Sequence, residues 1–189
     1  MSFFDKEDNV EKYIEMTKGY NPEWFVGCFS KYISDDAKVL ELGMGPGNDF
    51  DLLRKLYNAT GSDNSEIFIS RYKNKYPDAD VVVLDAVTLN VDRKFDAVYS
   101  NKVLHHLTKE NFKKSLARQL EVVNEGGILF HSFWYGDKEE MMENLRFVYY
   151  TEETIKDFLP EGTDLLAIEL YMEEEENDSF YLVLKKKES

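Results

Sequence analysis

Val39-Leu40-Glu41-Leu42-Gly43-Met44-Gly45-Pro46-Gly47 is a short apolar run that ends on alternating glycines. An apolar run closed by turn residues reads as a buried strand. Beyond it, Phe50, Leu53 and Tyr57, with Leu52 and Leu56, recur at helical spacing. Strand, glycine turn and helix in that order open a βαβ unit.

The same alternation continues outward. Residues 58–63 form a second, weaker strand, and Ile69, Tyr72 and Tyr76 lie on the next helix, which Pro77 ends. Residues 80–84 are a β-branched run of the kind buried on both faces. Residues 94–100 are another strand, and Phe112, Leu116, Leu120 and Val123 mark a helix after it. The turn 124–127 leads into a strand over 128–133. Strands separated by helices of ~10–15 residues predict a parallel sheet with helices packed on it. The end differs: 165–171 and 179–184 are strand-like with no helix between them, and Asn177-Asp178 supplies turn chemistry. They predict an antiparallel hairpin on the sheet edge. Thr151 is an N-cap for a short helix just before it. At the other end, Val10, Tyr13, Ile14 and Thr17 predict one amphipathic helix, and 22–32 a second with Pro22 in its first turn.

The 189 residues suit one domain, with 37 acidic and 23 basic side chains and a net charge of -14. That charge repels phosphate backbones, so nucleic acid and anionic membranes are not expected partners. Cys28 is the single cysteine, which excludes an intramolecular disulfide and fits a cytoplasmic location. The start, Met1 to Asp8, has no basic segment followed by an apolar run, so no signal peptide is expected. No apolar stretch approaches the ~20 residues that span a bilayer. The expected partner is a small-molecule substrate, with the chain a monomer or homodimer. The run Glu173 to Glu176 reads as a solvated turn.

Ligands of open α/β sheets bind beyond the carboxyl ends of the strands, where strand order reverses. A dinucleotide fingerprint would place its last glycine at 48, but that residue is Asn48, and no Gly-Lys-Ser/Thr follows for a P-loop. Glu41 would repel a pyrophosphate and favour an ammonium or a sulfonium. Asp63 closes the second strand, where a carboxylate accepts both hydroxyls of a ribose. Asp85 closes the third, where it can accept from an exocyclic amine.

These segments resemble class I S-adenosylmethionine-dependent methyltransferases. Residues 39–47 are similar to that family's first motif, 61–65 to the segment with the ribose-binding acid, and 84–86 to the adenine-contacting segment. Residues 95–107 resemble the fourth-strand motif and 126–130 the entry to the fifth strand. The resemblance implies a Rossmann-like, doubly wound α/β sheet of seven mostly parallel strands, order 3-2-1-4-5-7-6, with the last strand antiparallel. It implies an N-terminal helical lid over 1–37 and a methyltransferase domain over 38–189. It also implies S-adenosylmethionine as cofactor and S-adenosylhomocysteine as product. Gly43, Met44 and Gly45 would lie against the methionine part and ribose, Asp63 would hold the ribose and Asn64 the adenine edge. Asp85 and Ala86 would reach the adenine amino group, and Ser100 and Asn101 the methionine amino end.

Methyl transfer from a sulfonium needs alignment first, and a base only when the acceptor must lose a proton. His105 and His106 follow the fourth strand and are the candidates. Neighbours in a helical turn point about 100° apart, so one is expected to face the site. A histidine at the place of His106 resembles the active-site histidine of some relatives. His131 lies within the fifth strand. Tyr13, Tyr20, Trp134 and Tyr150 are candidate substrate-binding aromatics, with Trp24, Tyr135 and Tyr149 nearby in sequence. Three histidines and one cysteine give no metal-ligand spacing, so no metal is expected. A small-molecule acceptor is expected, with a protein side chain or a non-catalytic cofactor-binding role as alternatives.

Overall fold

Lys38–Leu42 (β1) lies in the middle of a seven-stranded sheet in the computed structural model, which describes residues 3–188. Its neighbours are Asn58–Asp63 (β2) on one side and Phe95–Ser100 (β4) on the other, both parallel to it. Val81–Val83 (β3) extends the β2 side, and Val123–Trp134 (β5) the β4 side. The far edge carries Ser179–Lys186 (β9) and then Thr163–Tyr171 (β8). β9 runs antiparallel to both β5 and β8. The order β3-β2-β1-β4-β5-β9-β8 matches the expected doubly wound sheet with its reversed last strand.

Both faces of the sheet are covered at its centre, so β1 is buried after its first residue. Alternation sends Val39 to one core with Phe25, Phe29, Tyr99 and Phe130, and Leu40 and Leu42 to the other with Val98, Phe112 and Phe133. Phe50–Leu56 (α3), Glu66–Lys75 (α4) and Lys109–Val122 (α5) are the crossover helices. Ser65 and Thr108 cap α4 and α5 by accepting from the backbone of Phe68 and Asn111.

The N-terminal region is not uniform. Glu23–Phe29 (α2) drives Phe25 and Phe29 against Tyr99 and Phe130, so it belongs to the sheet's cover. Glu7–Met16 (α1) buries only Val10 and sits at the rim. α2 is also shorter than the expected 22–32.

Further local expectations are corrected. The run 80–84 is not buried on both faces: β3 is the sheet's edge strand, and Val83 is 50% exposed. Residues 124–127 are no turn: Gly126, at φ 73°, and Gly127 lie inside β5, where the pairing with β4 shifts register. Thr151 does not open an α-helix. It exchanges hydrogen bonds with Thr154 ahead of a single 3-10 turn, Thr154–Phe158. Glu139–Met142 (β6) and Leu145–Val148 (β7) form a separate hairpin. Its two turn residues, Glu143 and Asn144, have φ of 50° and 69°, the tight geometry that usually selects glycine.

Candidate functional site

The turn after β1 is left-handed at all three glycines, with φ of 66° at Gly43, 51° at Gly45 and 91° at Gly47. A Cβ on Gly47 would stand 2.3 Å from the Tyr72 ring. That ring is fixed by the Tyr72 hydroxyl donating to Asp51 at 2.5 Å. Gly47→Ala is therefore expected to destabilise the chain by about 3 kcal/mol, strain and clash together. Gly19→Ala, with φ of 85° but open space around it, should lose about 1 kcal/mol. Urea unfolding of both variants checks this, and equal losses would show that the Tyr72 ring simply moves aside.

Asp63 ties the turn down. Its two oxygens accept from the Gly45 and Ser65 backbone N–H groups, each at 2.9 Å. Burial raises its pKa, against those backbone donors. Two more buried carboxylates lie beside it. Glu41 is 3% exposed and its Oε2 has no hydrogen-bond partner. Burial first, and then the charges of Asp49, Asp63 and Asp51, push its pKa well up. Asp49 accepts from the Tyr99 hydroxyl at 2.7 Å and from Asn101 Nδ2 at 3.1 Å, both on Oδ2, and its Oδ1 is unpartnered. Its pKa is raised by burial as well. Three acids packed under a glycine turn, with two orphaned oxygens, create a demand for positive charge. No group of three or more His, Cys, Asp or Glu among the described residues is arranged to hold a metal ion.

A cavity of about 730 Å³ opens above Glu41, Gly43, Met44 and Asp49. Asn101, His105, His106, Tyr13, Tyr20 and Trp134 also line it. Asp63, Asn64, Asp85 and Ala86 do not; they stand at the ends of β2 and β3 beside the turn. Asp85 Oδ1 accepts from the Val87 and Thr88 N–H groups at 2.9 Å each, so one of its oxygens holds a surface turn. The Ala86 carbonyl accepts from Ser115. Ser100 is buried, with its hydroxyl on His131 Nδ1 at 2.8 Å. His131 Nε2 meets Gln119, and burial pushes its pKa down to about 3, so His131 is a core residue. Tyr150 also lies in the core, among Phe112, Phe133 and Phe158, away from the cavity.

Both neighbouring histidines, and not one, line the cavity: in the 3-10 turn Leu104–His106 their rings stand 4.0 Å apart, and Phe147 of β7 packs against both. His106 Nδ1 donates to the Arg146 carbonyl at 2.7 Å. That fixes the tautomer and leaves Nε2 as a bare acceptor. Burial lowers its pKa to about 4. His105, 1% exposed, has no partner on either nitrogen and is held neutral by burial.

The cavity's outer wall comes from α1 and the β6–β7 hairpin. Tyr13 lies over Gly45, 3.4 Å from where a Cβ would be, and packs edge-on against Phe4 and Phe68. Ser65 donates to the Phe4 carbonyl at 2.7 Å. Arg71 of α4 pairs with Glu7 and Glu11 of α1, and Lys12 pairs with Glu143 of the hairpin turn at 2.6 Å. Exposed pairs of this kind contribute about 0–1 kcal/mol each, so α1 is held lightly.

Several cavity residues escaped the sequence reading, Asp49 and Lys102 among them. Asp49 follows the glycine turn, and Lys102 follows Asn101. Neither sits in a spacing that marks it, since each depends on burial by distant parts of the chain. The hairpin residues Arg146 and Phe147 escaped with them.

Residues 39–127 match the sequence model of a family described as a methyltransferase domain. A tRNA (carboxymethyluridine(34)-5-O)-methyltransferase of Arabidopsis thaliana is 27% identical over 142 residues, 74% of this chain and 34% of its own length. Trans-aconitate 2-methyltransferase of Variovorax paradoxus is 28% identical over 101 residues, 51% of this chain and 38% of its own. The chain thus spans little more than a third of these curated relatives. Among solved structures, Burkholderia thailandensis 1,6-didemethyltoxoflavin-N1-methyltransferase superposes with a TM-score of 0.79 at 16% identity. The match covers 96% of this chain and 86% of that one. At that identity the likeness carries the fold alone.

Proposed function

We propose, for a chain whose residues 39–127 match the methyltransferase-domain family, that it transfers a methyl group from S-adenosylmethionine to a small-molecule acceptor. The observation that carries this reading is the buried acid cluster Glu41, Asp49 and Asp63, with its two orphaned oxygens beneath the glycine turn. It calls for a ligand with positive charge and no phosphate. S-adenosylmethionine supplies an ammonium and a sulfonium there, and the methyl group itself.

The chain's own residues divide the remaining work. Asp63 receives the ribose hydroxyls beside Gly45. Asn64, Asp85 and Ala86, at the adjoining strand ends, border the adenine. Asn101 and Asp49 take the methionine amino end, and Ser100, locked to His131, positions the end of β4. Tyr13 and α1 cover the bound cofactor as a lid. His106 Nε2 accepts a proton or hydrogen bond from the acceptor, and Tyr20 and Trp134 border the acceptor. One curated relative is named for a free small molecule, trans-aconitate, and the other for a tRNA uridine. The cavity's size, about 730 Å³, and the net charge of -14 favour the former kind of acceptor.

Calorimetry with S-adenosylhomocysteine tests the cofactor; no heat and no thermal stabilisation would sink the reading. Radiolabelled methyl transfer into a fractionated lysate tests the acceptor. Label in the small-molecule fraction is expected. Label in protein would favour side-chain methylation, and binding without label a non-catalytic role. His106→Gln is expected to lower label transfer about 100-fold, with cofactor affinity within about twofold of wild type. Undiminished transfer would remove His106 from the chemistry.

A further inference from the structure

Lys102 is the cavity residue the methyl-transfer reading leaves without a task. It is a bulky residue in the left-handed region, with φ of 55°. Backbone of this kind persists where the surroundings hold it, often at a functional site. Here the Lys102 N–H donates to Ser132 Oγ at 2.9 Å, and that hydroxyl donates to Asn101 Oδ1 at 2.7 Å. Asn101 in turn reaches Asp49. The backbone that presents Lys102 is therefore continuous with the cofactor end of the cavity.

The side chain is only 15% exposed. Its Nζ lies 3.4 Å from the centre of the Trp134 ring and donates to Ser179 Oγ at 2.5 Å. The nearest anion is Glu173, at 3.7 Å, longer than a good charge-assisted hydrogen bond. The other lysine lining the cavity, Lys12, is 63% exposed and already paired with Glu143. Lys102 is thus the cation whose head group is held inside; Glu173, Asp178 and Glu174 act on its charge, but the ion pair it makes, with Glu173, is a long one. His105 stands on the same wall with two unpartnered nitrogens and can donate one hydrogen bond. Met16, Leu145 and Phe147 give the cavity apolar surface, while Glu173 and Glu174 line it as well and are the acids an incoming anion must displace from Lys102.

We propose that Lys102 selects the acceptor: a small organic acid with an apolar body, whose carboxylate pairs with Lys102 Nζ in place of Glu173. The proposal rests on the methyltransferase reading for which end of the cavity holds cofactor. Glu41 and Asp49 face that end, so they do not oppose the anion. The chain's net charge of -14 repels anions at long range. Recognition is therefore local and should survive physiological salt, where exposed charges are screened beyond about 8 Å.

Phenylacetate and phenylacetamide have the same shape and differ in charge, so they serve as probes. Each is titrated into the chain saturated with S-adenosylhomocysteine. Phenylacetate is expected to bind at least tenfold more tightly than the amide. Lys102→Met should reduce that preference below about twofold, and Lys102→Arg should keep most of it. S-adenosylhomocysteine affinity and melting temperature show that each variant is folded. Glu173→Gln should strengthen phenylacetate binding, because it removes the internal competitor. If the Lys102–Glu173 pair is only a clamp for the loop before β9, Glu173→Gln and Lys102→Met will weaken the probe alike, and the proposal fails. Equal binding of both probes, or none of either, also overturns it. Failure of S-adenosylhomocysteine to bind the wild-type chain is a separate result, and it sinks the cofactor reading instead.

Discussion

Asp63→Ala is expected to weaken S-adenosylhomocysteine binding by at least about 100-fold. In the proposed reading its carboxylate accepts from two ribose hydroxyls. Hydrogen bonds to a charged group contribute about 1.5–3 kcal/mol each, and about 1.4 kcal/mol is a factor of ten in affinity. The substitution has a second effect. The N–H groups of Gly45 and Ser65 both lose their acceptor, so the turn that contacts the ligand loosens as well. Asp63→Asn keeps one oxygen and should lose about tenfold. Folding should suffer less than binding, because burial already works against the ionised form of this acid. Titration calorimetry decides: an alanine variant within threefold of wild type would show that the ribose lies elsewhere.

Asp49→Asn is expected to discriminate between two ligands. S-adenosylhomocysteine carries the amino-acid part and should lose about 30-fold, the equivalent of one charged hydrogen bond. 5′-Methylthioadenosine lacks that part and should lose no more than about twofold. Equal losses would place Asp49 away from the ammonium. Protons provide an independent check. Glu41, Asp49 and Asp63 all have pKa values raised by burial. Raised acids stabilise the ligand-free fold at low pH, and that contribution disappears as pH rises through their folded pKa values. A bound ammonium lowers those values again, so binding should release protons. The measured heat should then change with the ionisation enthalpy of the buffer, and the change should shrink in Asp49→Asn.

The sheet was legible because both of its periodicities are in the chain. The apolar run 39–42 marks a strand buried on both faces, and Phe112 and Leu116 mark the helix between β4 and β5. The β-branched run 80–84 also marks a strand, but one at the sheet edge, where the sequence does not show that a face stays open. The glycine turn and the acids after β2 and β3 were legible because each stands at a strand end. What escaped depends on distant contacts. Lys102 acquires its setting from Trp134 and Ser179, and burial brings its pKa down to about 8, with Glu173 and Asp178 opposing. Spacing along the chain carries no trace of that. The β6–β7 hairpin was hidden because Glu143 and Asn144 take left-handed backbone without glycine. Tyr150 lies in the core and not in the cavity; an aromatic near a strand end does not announce which face it takes.

The cavity has two origins. Its floor, from Glu41 to Lys102 and the two histidines, falls within the span that matches the methyltransferase-domain family. Its roof, α1, Trp134 and the β6–β7 hairpin, falls outside that span. Heritable change can therefore act on the two halves separately. The roof can drift, be exchanged or lengthen without disturbing the glycine turn beneath it, and a laboratory graft of a foreign hairpin between Trp134 and Tyr149 would follow the same seam.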